Sequence, residues 1–303
     1  MKKHMLVVNL TLIIAILSLP FNVIAVGNGV VETGYPEAGY LEYIKGGSVD
    51  QYTLCSAVLI GQKTVLTAAH CVYSGTMGFD PLDTTKNNSI NFVYELENGN
   101  IYRVAVTTGV YHENYSATLP GPIDTYLSTG YSYYDVAVLT LKTSVTNITT
   151  FPVLNSRPLT KADYQTQGVM IGYGATKYVN AESTIGVKRS AKAIVQNLNS
   201  TDTDWPDISP VSQQFGWKFN MALAKKTGSN IGSSCAGDSG GPIYLDSPIN
   251  RKLYLSGLNT WNYFYICDLH GVTTSPDLGA LYQWIKDHIN NDSTVKFEAL
   301  PEM

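Results

Sequence analysis

Short apolar runs alternate along this chain with polar stretches that carry glycine and proline. Between positions 40 and 112 the runs are Tyr52 to Ile60, Lys63 to Leu66, Ile90 to Leu96 and Ile101 to His112. Runs this short, rich in β-branched and aromatic residues, predict strands rather than helices. Glu97-Asn98-Gly99-Asn100 separates the last two with a hairpin turn signal. A segment rich in Tyr, Ser, Thr, Gly and Pro follows from Glu113 to Tyr134 and reads as an insertion. Asp135 then opens Asp-Val-Ala-Val-Leu-Thr-Leu, which predicts a buried strand with an acid at its mouth. Thr149 to Thr166, polar and Pro-bearing, predicts a crossing between two halves.

Beyond the crossing, strands are predicted at Gly168 to Thr176, Val187 to Leu198, Ile243 to Leu245, Lys252 to Trp261 and Gly271 to Thr274, with Asn199 to Gln214 as a surface loop. The period then changes. Leu281, Trp284, Ile285, His288 and Ile289 share one face of a helix. On this reading His288 is a packed helix-face residue, His112 a surface or strand-end residue, and the segment after Asn290 a frayed tail.

The first residues follow another logic. Lys2, Lys3 and His4 precede an apolar stretch from Leu6 to Leu19, with Val23-Ile24-Ala25 behind it, the pattern of a secretory signal peptide cut after Ala25. Of the 303 residues, about 280 remain, enough for two β-barrels or one large sandwich. Charged residues are 15% and the net charge is -4, which argues against nucleic acid or an anionic membrane surface as partner. The four cysteines suit an oxidising compartment and allow three pairings. They lack the spacing of a metal site, so neither metal nor cofactor is expected. Asp80, Asp83, Asn87, Glu95 and Glu97 offer oxygens for calcium but without EF-hand spacing, and read as a solvated acidic loop. Sequons stand at Asn87, Asn114, Asn147, Asn199 and Asn291.

Candidate chemistry centres on Ser234 to Ile243, which reads Ser-Cys-Ala-Gly-Asp-Ser-Gly-Gly-Pro-Ile. Crowded glycines around Ser239 suit a tight turn that presents a nucleophile, with the amides of Gly237 and Ser239 converging as an oxyanion hole. A hydroxyl needs a base. His70, in Thr67-Ala-Ala-His-Cys71, is the candidate base, and Asp135 needs a partner for its charge and would orient that imidazole. The order His70, Asp135, Ser239 differs from that of subtilisins and of α/β-hydrolases.

With Gly-Tyr-Gly at 172 to 174, these stretches resemble the trypsin-like or chymotrypsin-like serine endopeptidases over nearly all of the chain after residue 25. The resemblance implies an all-β fold of two antiparallel six-stranded barrels with a C-terminal helix. The boundaries are 1–25 for the signal peptide, 26–150 and 151–290 for the barrels, and 291–303 for a flexible tail. It implies disulfides Cys55–Cys71 and Cys235–Cys267. A new amino terminus at Val26 would pair with Asp238 and lock the turn. Ser233 would lie at the base of the specificity pocket, with Thr260, Trp261, Asn262 and Gly271 at its edge and mouth. Without an acid at Ser233, cleavage after Arg or Lys is disfavoured. The expectation is a secreted, monomeric endopeptidase acting on protein or peptide substrates. The alternatives are a non-catalytic binding protein of the same fold and an esterase using the same three residues.

Overall fold

A computed structural model describes residues 26, 29–50, 54–115, 134–176, 185–196, 220–225, 232–262 and 271–302. The leader, most of the insertion after Tyr115, the polar loop 199–214 and Cys267 lie outside them. β1 (Val30–Val31) precedes a sheet built from β2 (Ala38–Lys45), β3 (Ser48–Val49), β4 (Cys55–Leu59), β5 (Thr64–Thr67), β6 (Ser89–Glu95), β7 (Ile101–Tyr111) and β8 (Ala137–Leu141). Its order is β3-β2-β4-β5-β8-β7-β6, and β2 also pairs with β6. Six antiparallel strands therefore close on themselves with β3 as an appendage, and closure leaves no raw sheet edge among the six.

The apolar runs have a simple cause in this geometry. Successive residues of a strand face opposite sides. Ala57 and Leu59 of β4 point into the first barrel with Leu41, Phe92 and Leu139. Val58 and Ile60, one step out of phase, face Leu255, Leu258 and Ile285 of the other half. Both faces of β4 are dry, so its sequence shows no polar alternation.

The second half comprises β9 (Val153–Asn155), β10 (Gln167–Gly172), β11 (Arg189–Gln196), β12 (Asn220–Lys225), β13 (Pro242–Asp246), β14 (Leu253–Leu258), β15 (Trp261–Asn262), β16 (Gly271–Pro276) and β17 (Lys296–Glu298). Six strands in the order β16-β12-β11-β10-β13-β14 run antiparallel. They curl until β14 meets the far end of β16, where Leu258 N donates to Ser275 Oγ at 2.8 Å and Leu278 N to Ser256 O at 3.1 Å. Met170, Ala193, Val195, Ile243, Leu245 and Tyr254 fill the inside. The predicted helix forms at Tyr282–His288, with Leu281 and Ile285 against the seam between the halves.

One expectation is corrected. Through residue 302 the tail is not frayed: β17 lies parallel to β9, which in turn lies parallel to β14. The polar look of the tail hides Phe297, which packs on the seam, and Leu300, only 2% exposed. Arg157 donates to the carbonyls of Leu300 and Pro301 while pairing with Asp163 at 2.6 Å. Asp292 accepts from Lys63 N and Thr64 Oγ1, tying the same segment to the first barrel. His112 is the strand-end residue of the two expected alternatives, just past β7, buried with its ring between those of Tyr134 and Trp284.

Candidate active site

Strand register sets the first contact. β5 ends at Thr67 opposite Ala137, where β8 begins. Residues just past Thr67 and just before Ala137 must therefore meet at one rim of the barrel. His70 lies there in a single 3-10 turn, Ala69–Cys71, and Asp135 waits opposite, 1% exposed. His70 N donates to Asp135 Oδ1 at 2.8 Å, and Nδ1 lies 2.7 Å from Oδ2. A carboxylate can only accept, so Nδ1 carries the hydrogen and Nε2 is the basic nitrogen. Burial alone would push the His70 imidazole down, but the charge and hydrogen bond of Asp135 outweigh it and hold the imidazole above its ordinary value. The turn is fastened from behind by the Cys55–Cys71 disulfide and by Tyr43, whose hydroxyl donates to Cys71 O at 2.8 Å.

Ser239 sits on the turn between Cys235 and Pro242, partly exposed. Asp238 N donates to Cys235 O and Gly241 N to Asp238 O, which folds the turn tightly. Gly237 has φ 93°, and a Cβ there would lie 2.9 Å from Gly174 Cα, so glycine is required on both counts. Gly240 sets the distance to the His70 turn. A Cβ on it would stand 2.1 Å from Thr67 Oγ1 and 2.9 Å from Ala68 N. The carbonyl of Ser239 lies 3.8 Å from Cys71 Sγ. The serine turn of the second half thus packs directly on the histidine turn of the first.

Buried polar groups that composition and spacing did not single out hold this turn. Ser56 Oγ donates to Gly237 O and accepts from Tyr173 N, both at 2.9 Å. Asn259 brackets the other side: its carbonyl accepts from Gly240 N at 2.6 Å, its own N donates to Gly241 O, and Nδ2 donates to Ile171 O. Neither residue belongs to a recognisable motif, and a Ser or Asn in a strand-rich sequence carries no signal of its own.

Asp238 is fully buried and accepts from Gly174 N at 2.8 Å and Cys235 N at 2.7 Å. Burial pushes its carboxyl up to about 7, against the pull of those two amides and of the Arg189 charge. Val26 is also fully buried, at φ 44°, with its side chain among Met170, Ala191 and Ala193 on the inside of the second barrel.

Ser233 is buried, and Thr260 is 6% exposed. Trp261 and Asn262 form β15, paired to Thr274 and Thr273, and Gly271 begins β16 opposite Lys225. β15 is the end of its sheet among the described residues. Cys235 is held in a disulfide, and its expected partner Cys267 lies outside the described residues. In the acidic loop, Asp80 accepts from Leu82 N and Asp83 from Thr85, so both turn back on their own backbone. Cys55, His70 and Cys71 gather their donor atoms closely, but both sulfurs are spent in the disulfide.

A family model described as Trypsin matches residues 31–284. The chain is similar to the chymotrypsin-like elastase family member 1 of dog, 28% identical over 271 residues, covering 87% of this chain and 91% of that protein. The human protein of the same name is 28% identical with the same coverage, and that of cattle is 26% identical, covering 87% of this chain and 88% of that protein.

Proposed function

The chain belongs to the trypsin family of serine proteases, and on that premise we propose that it is a secreted endopeptidase that cleaves peptide bonds through an acyl-enzyme on Ser239. The observation that carries this reading is the His70–Asp135 pair, bonded through both carboxylate oxygens on the rim against which the Ser239 turn packs. His70 Nε2 takes the hydroxyl proton as Ser239 attacks the carbonyl, then returns it to the leaving amine. Asp135 holds the imidazole in the required tautomer and balances its positive charge. The amides of Gly237 and Ser239 receive the oxyanion, and the bonds from Ser56 and Asn259 keep that turn preorganised.

Export is proposed from the leader, with the cut after Ala25, and from the oxidised state of Cys55, Cys71 and Cys235. Among the described residues no helix is long and apolar enough to cross a membrane. The freed ammonium of Val26, already lodged in the barrel, would then approach Asp238. Preference before the cut is for uncharged, smaller side chains, because the buried Ser233 supplies no charge for a basic residue. The elastase name of the relatives accords with this.

Incubating the exported protein with a fluorophosphonate, followed by peptide mapping, should place the adduct on Ser239 and abolish casein cleavage. Folded protein that stays unlabelled would end this reading. Ser239→Ala should lower turnover by about three orders of magnitude or more.

A further inference from the structure

Resting on that reading, we infer that Arg189 is a positioning residue for the nucleophile turn. Its guanidinium is the resident counter-charge of Asp238, and it keeps the turn formed whether or not the amino end at Val26 has been freed.

Alternation along β11 turns Arg189 inward. Ala191, Ala193 and Val195, its partners at two-residue spacing, line the inside of the second barrel, and Lys192 between them is exposed. Arg189 is 4% exposed, an unusual place for a guanidinium unless it answers a charge. In the ladder it stands opposite Gly172. Gly172 is in turn pressed against Asp238, since a Cβ on it would lie 2.1 Å from Asp238 Oδ1. One strand spacing, about 5 Å, thus separates the arginine backbone from the residue that touches the carboxylate, well within the reach of its side chain.

The surroundings of Asp238 make a counter-charge necessary. The Gly174 and Cys235 amides take its two oxygens, and Arg189 is the charged side chain that acts on it among the described residues. Burial holds the Arg189 guanidinium below its ordinary value, and the Asp238 charge offsets part of that fall. Asp238 directly precedes Ser239, so an uncompensated charge at this point would strain the turn whose amides hold the oxyanion.

The test compares the full 303-residue chain, leader uncut, with the chain that begins at Val26, each as parent, Arg189→Gln and Arg189→Lys. The readout is the rate of fluorophosphonate labelling of Ser239. In the full chain Arg189→Gln should label at least about tenfold more slowly than the parent, with Arg189→Lys near the parent rate. In the chain beginning at Val26 the parent should keep its rate above pH ~9, where an α-amino group has lost its proton, and Arg189→Gln should not. Equal rates for parent and Arg189→Gln in both chains would overturn the inference. If Arg189→Gln does not fold, adding Asp238→Asn decides: restored folding supports the charge pairing, and failure even then assigns Arg189 to packing alone. A parent that never labels would overturn the protease reading itself, a result distinct from all of these.

Discussion

At the scale of single residues, the chemistry turns on which proton sits where. On the proposed mechanism neutral His70 is the base, so activity should fall as pH drops through a midpoint lying above the ordinary histidine value, because Asp135 stabilises the imidazolium. In Asp135→Asn that support is gone. The midpoint of kcat/KM against pH should move down, and kcat itself should fall by about four orders of magnitude as the wrong tautomer is favoured. A pH profile of the variant that matched the parent would remove Asp135 from the mechanism. Asp238 works in the opposite sense. Burial pushes its carboxyl up to about 7 in the folded chain, against the ordinary 3.8 when unfolded, so the folded state binds the extra proton between those values. Stability therefore declines as pH rises from about 4 to about 7. Urea unfolding across that window should show the decline in the full chain and a flatter curve in Asp238→Asn.

The elements differ in how plainly the sequence announces them. β4, β5, β6 and β7 were legible within a few residues, since apolar runs bounded by turn residues hold strands in place. β2 was not, although it closes the first barrel: Tyr40, Glu42 and Ile44 alternate with buried Leu41 and Tyr43, and tyrosines suit either face. β12 went unread as well, within a stretch between two predicted strands that carried no assignment. β9 and β17 are three-residue strands in parallel pairs, and nothing local marks a parallel partner that arrives over 140 residues later. The three residues proposed to react stood out because each sits in a motif that restricts the backbone. Ser56, Asn259 and Arg189 did not, because no motif marks them and only the folded barrels bring them to the Ser239 turn, Ser56 from the first half and Asn259 and Arg189 within the second. At this scale the Cys55–Cys71 staple carries weight. Changing both cysteines to alanine should cost about 2–4 kcal/mol in urea unfolding. Labelling of Ser239 should slow too, since His70 adjoins the lost bond.

Across the whole molecule, two halves are joined by a continuous apolar seam to which both contribute. The proposed active site lies at that seam, with His70 and Asp135 from one side and Ser239 from the other. The last residues act as a strap over both: Asp292 bonds to β5 and the turn before it, and β17 with Leu300 seals β9. Removing residues 291–303 should uncover the apolar surface that Val295, Phe297 and Leu300 cover and cost at least about 3 kcal/mol in unfolding free energy. It should also slow Ser239 labelling, although the strap is no part of the chemistry. A truncated chain with unchanged urea midpoint would refute that role.

Val26 places a condition on timing. Val26 is packed in the interior of the second barrel, so once that barrel has formed, a processing enzyme acting at the proposed cut would have to pull this residue out of the core. On the proposed cut after Ala25, leader removal would have to come during export, ahead of collapse. A precursor allowed to fold first would then be a dead end for maturation, and export would act as the clock that decides which molecules reach their finished form.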